Sequence, residues 1–462
     1  MKRTVSILLA LILTLSVLGG CGSSAAQTPS APAPSTPAPS TPAPSTPAPS
    51  TPTPSAPADG GYTPENYPWH DVYKIDDPSF WNGVMMQVDY MSRAGFDKAL
   101  PKTKKTPDQI KVGMVTSQTG NTFFEQMFDE ADIAREEFGY EVSYLSANND
   151  VDRMIRALED YTAQGVDVIL LDPVDRDTAD IAIRTCVANG TAVIQIGIGI
   201  GTQVPAITSI TGNYWGSGYE GGKYTMSQLK DYPTIKAVLS VGRLGSNTRP
   251  CGMITGMIEE RSRQKGTPIS KDDAMLLAYN YTTKMFQQGS IEIPEADLYI
   301  ASVDTTAGFT VEGGVSAAEN LMTAVPDAQL FIAESDSIAI GALRGLENLG
   351  YKPGEDLLVT TFNDGLQEAA EYVKAGKLMM TGYNPPSLFV NGAFNLIKMI
   401  WEEGFDASNM PAICPLPAVA INKDNVDMYL NPGNPYVKAL DPVTFKTIAQ
   451  QWDDFLAANP VQ

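Results

Sequence analysis

The chain has 462 residues and a formal net charge of −21 at pH 7, so it is long enough for two or three domains. The acidic balance argues against a nucleic-acid partner, because phosphate contacts need lysine and arginine. A single histidine, His70, and the lack of P-loop or G-x-S-x-G motifs argue against His-based catalysis, a His-rich metal site and nucleotide chemistry.

The N-terminus has the layout of a secretory signal. Lys2 and Arg3 precede an apolar run over residues 5–18, and small residues lead to Cys21. The run is shorter than the roughly 20 apolar residues of a membrane span. The motif LGGC, ending at Cys21, resembles a bacterial lipobox, which implies removal of residues 1–20 and a lipid on Cys21. Signal-peptidase cleavage nearby, with Cys21 uninvolved, is the alternative.

A low-complexity linker follows over residues 21–60. It contains PAPST four times within residues 32–51 and lacks the large apolar side chains that form a core. We expect a disordered, extended spacer of about 3.1 Å per residue. Such a spacer favours a lipoprotein on the outer face of the cell membrane, and a Gram-positive surface more than a thin periplasm.

Strand and helix patterns alternate from residue 110 onward. Several strands are continuous apolar runs, which is typical of parallel sheets covered on both faces. The predicted strands are IKVGMVTS, EVSYLSA, VDVILLDPV, TAVIQI, IKAVLSVGR, DLYIASVD, AQLFIAES and LLVTTFND. Predicted helices lie between them, and Asp150 is the expected N-cap of DVDRMIRALEDYTAQG. This many strands favours two α/β lobes with a shared cleft at the carboxyl ends of the strands.

Four segments in this order resemble type I solute-binding proteins of ABC transporters, and most resemble the ribose/galactose-type sugar binders. They are GNTFFEQMFDEADIAREEFGYEV, ALEDYTAQGVDVILLDPVD, FIAESDSIAIGALRGLENLG and VKAGKLMMTGYNPP. The same fold occurs in lactose-repressor-type regulators, but no helix-turn-helix precedes it here.

The resemblance implies a periplasmic binding protein type I fold. Its two doubly wound parallel-sheet lobes, residues 108–211 with 384–418 and residues 212–383 with 419–462, are joined by a three-stranded hinge. The crossovers lie near residues 211–213, 383–385 and 417–420. An N-terminal extension, residues 61–107, lies outside the likeness, and its residues 80–91 carry an apolar stripe that could pack on the first lobe. The stretch 271–294 is longer than the usual connection.

The resemblance also implies a set of ligand-contacting residues at the cleft. Asn121 would donate to the ligand between Phe123 and Phe124, although Phe124 also fits the core stripe of its helix. Arg249 would reach the ligand from the second lobe, and a bound anionic or polar partner would relieve its position at a helix start; a surface arginine is the alternative. The full set is Asn121, Phe123, Phe124, Gly197, Asn213, Trp215, Arg249, Ser335, Asp336, Asn363, Asp364, Tyr383 and Asn384.

Several of these positions depart from the family pattern. Asn363 or Asp364 stands where relatives present an Asp, and Ser335 replaces a ligand-contacting Asn. Asp336 is expected to cap the following helix. Tyr383 and Asn384 stand at the hinge where relatives use Gln. At the first crossover, beside Asn213, Trp215 could stack on a ligand or serve as hinge packing.

The segment TAVIQIGIGIGTQ starts a G-x-G-x-x-G pattern but has Thr202 in place of the third glycine and no helix after it, so a nucleotide loop is disfavoured. Pentose and hexose binders carry an Asp, often followed by Arg, where Gly197 and Ile198 stand here. Glycine admits a bulkier ligand close to the backbone. The ligand would then be larger, modified or less hydroxylated.

Two further patterns have simple explanations. Three cysteines besides Cys21 are too few for a disulfide framework, although one disulfide among Cys186, Cys251 and Cys414 would be allowed. The sequence NNDVD at residues 148–152 lacks the glycine and distal glutamate of a calcium loop, so helix capping explains it. We therefore expect no cofactor and no metal.

These patterns predict a non-enzymatic, monomeric, lipid-anchored protein that captures a small solute, most simply a sugar or sugar derivative, for an ABC permease. A sensory module that reports to a membrane receptor such as a histidine kinase is the alternative. An extracellular glycan hydrolase is a third hypothesis, and it would require paired carboxylates at glycosidase spacing.

Overall fold

The computed structural model describes residues 61, 63, 66–74, 95–120, 122–197, 204–407, 410–430, 452–453 and 456–457. The signal sequence with Cys21, the repeat linker, the stripe of residues 80–91, Asn121 and Ile198 lie outside the described residues. No helix in the described part of the chain is long and apolar enough to cross a membrane.

The first lobe is built on a six-stranded, fully parallel sheet. Its strands are β1 (Lys111–Thr116), β2 (Glu141–Ser146), β3 (Val168–Leu171), β4 (Ala192–Gly197), β5 (Ser209–Thr211) and β12 (Ile413–Pro415). Their order is β12-β5-β4-β3-β1-β2. Every residue of β3 and β4 is buried, which confirms that these apolar runs are central strands covered on both faces.

The helices of the first lobe pack in two pairs. They are α1 (Thr122–Phe138), α2 (Val151–Ala163), α3 (Arg176–Ala188) and α10 (Pro386–Ile397), which continues into a π-helical turn at Lys398–Glu403. Helix α1 packs on α10, and α2 packs on α3. The Asp150 carboxylate accepts a hydrogen bond from the Arg153 backbone N at 3.0 Å, so the predicted N-cap is confirmed.

The second lobe contains a five-stranded sheet of order β10-β9-β6-β8-β7. Its strands are β6 (Ile235–Ser240), β7 (Ile291–Ile293), β8 (Leu298–Asp304), β9 (Leu330–Ala333) and β10 (Leu358–Thr361). Only β7 is antiparallel to its neighbour, β8. The helices are α4 (Tyr214–Gln228), α5 (Thr248–Gln264), α6 (Lys271–Gln288), α7 (Val311–Ala324), α8 (Asp336–Asn348) and α9 (Gln367–Lys374).

The stretch 271–294 forms α6 and the edge strand β7. The sequence analysis did not identify β7, because three residues between Gly289 and Pro294 are too short to show a period-2 pattern. Gly289 ends α6 in the left-handed region, with φ 73°.

A two-stranded antiparallel pair lies beside the second lobe, formed by β11 (Met380–Gly382) and β13 (Ala420–Asn422); a short helix, α11 (Val426–Tyr429), follows. The chain passes between the two lobes at three places: between β5 and α4, between β11 and α10, and between β12 and β13. These are the three positions at which the resemblance places the hinge. The domain limits themselves stay a prediction.

The N-terminal extension contacts both lobes. The rings of Tyr67 and Trp69 lie 4.9 Å apart, and they pack with Ala412 beside β12 of the first lobe. A few residues later, Val72 is buried in the core of the second lobe. His70 Nε2 lies 3.4 Å from an Asp273 carboxylate oxygen on α6. Residues 66–74 therefore bridge the two lobes.

The described cysteines Cys186, Cys251 and Cys414 are all free and buried. Cys186 lies in α3 facing the core, as expected for a small apolar residue. The disulfide that the sequence allowed among these three residues does not form.

Helices α4 and α5 approach each other through glycines. A Cβ on Gly252 would lie 2.0 Å from the Trp215 carbonyl oxygen, and one on Gly218 would lie 2.3 Å from the Arg249 carbonyl oxygen. Because both contacts are with backbone atoms, no side-chain movement relieves them. This packing fixes the start of α5, and with it Arg249, against α4.

Asp336 holds the start of α8 to two neighbouring segments. Its carboxylate accepts hydrogen bonds from the Leu366 backbone N at 2.8 Å and from the Thr381 hydroxyl at 2.5 Å. The prediction that Asp336 caps α8 is therefore wrong. Ser335 occupies the N-cap position, and its hydroxyl makes no capping hydrogen bond. Burial and the neighbouring Asp364 raise the pKa of Asp336 well above its usual value.

We expect Gly252→Ala to lower the free energy of unfolding by about 1–3 kcal/mol, because the added methyl group forces α4 and α5 apart. Urea unfolding followed by circular dichroism measures this change. Ser316→Ala, on the exposed face of α7, is the control and should change stability by less than about 0.5 kcal/mol. A Gly252→Ala variant as stable as the wild type would contradict the close packing.

We expect Asp336→Asn to alter the pH dependence of stability. Because the pKa of Asp336 is raised on folding, its stabilising contribution is complete below about pH 4 and is lost as pH rises through the folded-state pKa. The stability of Asp336→Asn relative to wild type should therefore rise with pH, by at most about 1.4 kcal/mol per pH unit for one proton.

Urea unfolding at several values between pH 4 and pH 8 tests this trend. Glu136→Gln, on the solvent face of α1, is the control because it changes the net charge by the same amount. A stability difference between Asp336→Asn and wild type that is constant or falls with pH would refute the assignment.

Candidate functional site

A cleft of about 630 Å³ lies between the carboxyl ends of the two sheets. Its first wall comes from residues that follow β1, β2 and β3, and its second wall from residues that follow β6, β8 and β9. The lining residues are Ser117, Gln118, Phe124, Asn149, Pro173, Val174, Asp175, Asp177, Tyr214, Gly242, Arg243, Gly245, Ser246, Asn247, Thr248, Arg249, Gly308, Phe309 and Glu334. Ligands of open α/β sheets bind at this edge.

A second hollow, of about 670 Å³, lies between α2 and α3 on the outside of the first lobe. Its lining is mostly apolar, with Leu158, Ile181 and Cys186 among the lining residues. It is not at the strand ends, and charged groups do not converge on it. The cleft between the lobes is therefore the stronger candidate site.

The two phenylalanines at the start of α1 have different surroundings. Phe124 lines the cleft. Phe123 is not among the lining residues, and its ring lies 5.7 Å from the ring of Phe389 on α10, in an edge-to-face contact. Phe124 is also a core residue of the first lobe, at 9% exposure, as its place in the apolar stripe of α1 predicted, so α1 offers the cleft only a small part of that ring.

Gly197 ends β4 in the left-handed region, with φ 82°. A Cβ at this position would lie 2.6 Å from a carboxylate oxygen of Asp172. Asp172 is buried, and its carboxylate accepts a hydrogen bond from the Ser117 backbone N at 3.1 Å. The sequence analysis explained this glycine by a bulky ligand, but in the structure the Asp172 side chain occupies the space beside it.

Gly197 also joins the two lobes through its backbone. Its carbonyl oxygen accepts hydrogen bonds from the Thr211 hydroxyl at 2.8 Å and from the Tyr214 hydroxyl, at the start of α4, at 3.4 Å.

Arg249 lines the cleft from the first turn of α5. One guanidinium nitrogen lies 3.4 Å from a carboxylate oxygen of Glu334, and the guanidinium carbon lies 4.4 Å from the ring centre of Tyr214. The ring centre of Phe309 lies 5.8 Å from the guanidinium carbon of Arg249. The sequence analysis expected an anionic or polar partner to offset the charge of Arg249 at the start of a helix. Glu334 of the same chain is that partner.

Glu334 is the most buried charged group of the cleft, at 1% exposure. Its carboxylate accepts hydrogen bonds from the Gly242 backbone N at 2.9 Å and from the Ser246 hydroxyl. Burial raises the pKa of Glu334, and the Arg249 charge and these hydrogen bonds oppose that rise. Glu334 therefore fixes both Arg249 and the loop between β6 and α5.

Sequence reasoning missed Glu334, Phe309 and Tyr214 as cleft residues. Glu334 directly follows β9, and an acidic residue after a buried strand was an available signal. Phe309 lies in a loop whose course no pattern predicts, and its φ of 56° is unusual for a non-glycine residue.

A polar network is buried next to the cleft on the second-lobe side. The Asn363 side-chain amide donates to Asp364 at 2.5 Å, and the Asn384 amide donates to the Asn363 side-chain oxygen at 3.3 Å. Asp364 also accepts from the Asp336 backbone N at 3.2 Å. Burial raises the pKa of Asp364, and the Arg249 charge opposes this. These side chains are not among the residues that line the cleft.

Two atoms of this region have no hydrogen-bond partner within the described residues: the Ser335 hydroxyl oxygen and the side-chain oxygen of Asn384. Both are buried, and buried polar atoms are rarely left unpaired in folded proteins. Both residues are 1% exposed, and neither is among those that line the cleft.

The remaining candidates lie at the crossovers. The Asn213 side chain caps α4 by accepting from the Gly216 backbone N at 2.9 Å. Trp215 is buried and stacked on Tyr219, with 5.0 Å between ring centres. The ring of Tyr383 lies 4.9 Å from that of Tyr429. None of the three is among the residues that line the cleft.

The described residues contain no cluster of three or more His, Cys, Asp or Glu side chains arranged to hold a metal ion. The arrangement instead offers part of the Phe124 ring on one wall and a guanidinium with hydrogen-bonding groups on the other. It is suited to holding a small polar molecule between two surfaces.

Comparisons with known proteins agree with this geometry. The ribose import binding protein of Salmonella typhimurium strain LT2 is 25% identical over 270 residues, which cover 58% of this chain and 77% of the relative. A Mycobacterium smegmatis protein in complex with β-D-fucofuranose has a similar fold, with a TM-score of 0.56 and 19% identity over 73% of this chain and 99% of that one. A galactofuranose binding protein gives a TM-score of 0.55 and 16% identity over 70% and 97% of the two chains.

A model of the periplasmic binding protein domain family matches residues 112–404, which is more than half of the chain. The strand order, the cleft and the relatives agree with that match, and the resemblance seen in the sequence is confirmed. The family consists of solute-binding proteins of ABC transporters, which are not enzymes. The chain belongs to the periplasmic binding protein family, as a type I solute-binding protein of the ribose/galactose type.

Proposed function

We propose that the chain captures a sugar or sugar derivative in the cleft between its lobes and delivers it to an ABC permease. The observation that carries the proposal is that Phe124 and Arg249 line the same cleft from opposite lobes. A flat aromatic ring accepts the C–H face of a sugar, and a guanidinium donates to hydroxyl oxygens. A guest held between them would favour the closed arrangement of the lobes.

A polyhydroxylated guest would also suit two buried, unpaired atoms near the cleft, although neither belongs to its lining. The Ser335 hydroxyl oxygen and the Asn384 side-chain oxygen are buried without partners in the described structure. Sugar hydroxyls both donate and accept hydrogen bonds, so a guest that reached these atoms would satisfy them. Asn121, outside the described residues, is proposed to contribute from the start of α1.

The proposal includes export and anchoring. Residues 1–20 would be removed, Cys21 would carry the lipid, and the repeat linker would hold the monomeric binding domain away from the outer face of a Gram-positive cell membrane. These parts rest on the signal-sequence layout and the LGGC motif.

Calorimetry on the mature domain tests capture directly. The panel is D-ribose, D-allose, L-arabinose, D-galactose, D-fucose, xylitol and myo-inositol. We expect at least one to bind with a Kd of about 10 µM or tighter, and small-angle scattering should show a smaller radius of gyration in its presence. Absence of binding across the panel, with an unchanged radius, would count against sugar capture.

Phe124→Leu should weaken binding of the identified sugar about tenfold, because it keeps apolar volume but removes the flat ring face; tenfold is about 1.4 kcal/mol. Phe128→Leu is the matched control, since Phe128 is on the same helix and stacks on Tyr144 away from the cleft. Equal affinities for the two variants would remove Phe124 from the binding surface.

A further inference from the structure

The positive charge of Arg249 is already matched within the protein. Its guanidinium nitrogen lies 3.4 Å from Glu334, whose side chain is 1% exposed. Backbone and hydroxyl donors from Gly242 and Ser246 hold the carboxylate in this position. Glu334 is therefore a fixed part of the cleft and not a mobile surface charge.

Without Glu334 this wall would attract anions. Arg249 lies in the first turn of α5, a helix of 17 residues whose N-terminal end carries partial positive charge. The N-terminal end of a helix and a nearby guanidinium together favour phosphate, sulfate or carboxylate. The Glu334 carboxylate is the one charged group of the cleft lining that lies against Arg249 in a direct ion pair.

The other acidic groups near the cleft act in the same direction as Glu334. Asp175 and Asp177 line the opposite wall, and Asp364 is buried close enough to Arg249 to interact with it electrostatically. Arg243 is the other cation among the lining residues, and it is exposed. An anionic guest would therefore meet acidic residues on both sides of the cleft, with Arg243 at its exposed edge as the one cation not held in an ion pair among the lining residues.

We propose that Glu334 is a specificity-determining residue that makes the cleft reject anionic solutes, such as sugar acids and sugar phosphates, and accept uncharged polyhydroxylated ones. The statement that the accepted guests are uncharged polyhydroxylated solutes rests on the proposed function. The rejection of anions does not depend on that function, because it follows from the pairing of Arg249 with Glu334.

Inorganic sulfate is the probe, titrated by calorimetry into the mature domain at constant ionic strength. The wild type should show no saturable binding below about 10 mM. Glu334→Gln keeps the side-chain volume but removes the negative charge. Its amide oxygen can still accept from the Gly242 backbone N, and its NH2 group can donate to the Ser246 hydroxyl oxygen. We expect it to bind sulfate at least tenfold more tightly than the wild type.

Two further variants show where the sulfate binds. The double variant Arg249→Gln with Glu334→Gln should lose the affinity gained by Glu334→Gln alone. Glu368→Gln removes the carboxylate of an exposed ion pair with Arg344 and should leave sulfate binding as in the wild type. Sulfate affinity equal in Glu334→Gln and wild type would overturn the proposal, as would a gain that persists in the double variant.

A comparison without Glu334→Gln covers the case in which that variant does not fold. Wild type and Arg249→Gln should bind sulfate equally poorly, and tighter binding by the wild type would show that Arg249 is available to anions, against the proposal. The sugar panel on the wild type reports separately on the proposed function. No sugar binding together with a gain of sulfate binding by Glu334→Gln would reject sugar capture and keep the role of Glu334.

Discussion

The direction of the strands is the constraint on which the rest of this protein depends. In a parallel sheet every strand ends at the same edge, so the loops that follow the strands are collected there. Both sheets of this chain place that edge at one cleft, where Ser117 follows β1 and Glu334 follows β9. Residues more than 200 positions apart in the sequence are thereby brought to opposite walls of one site.

Burial then decides how the polar groups at this edge behave. Glu334, Asp336 and Asp364 are each almost fully buried, and each is held by hydrogen bonds from fixed donors. Because a buried carboxylate without partners is strongly disfavoured, these contacts hold the loops in defined positions. The hydrogen bonds that offset the cost of burial keep this wall of the second lobe in place.

The connection between the lobes is more extensive here than three crossovers. Residues 66–74 pack against β12 of the first lobe through an aromatic cluster and against α6 of the second lobe through Val72. Helix α6 lies in the stretch 271–294, and its contact with residues 71–74 joins the extension to this stretch. Any closing motion of the lobes must accommodate this bridge.

The sequence by itself determined the class of fold, and it predicted a ligand cleft at the carboxyl ends of the strands. The apolar runs of β3 and β4, the N-cap Asp150 and the four family-like segments are local signals, and local signals depend on neighbours along the chain. They also pointed to Phe124 and Arg249. Only the tertiary structure decided that Phe123 packs on α10, that Asp172 fills the space beside Gly197, and that Glu334 pairs with Arg249. Each of these contacts joins segments distant in sequence, and no periodicity or motif encodes which side chains meet when two sheet edges come together.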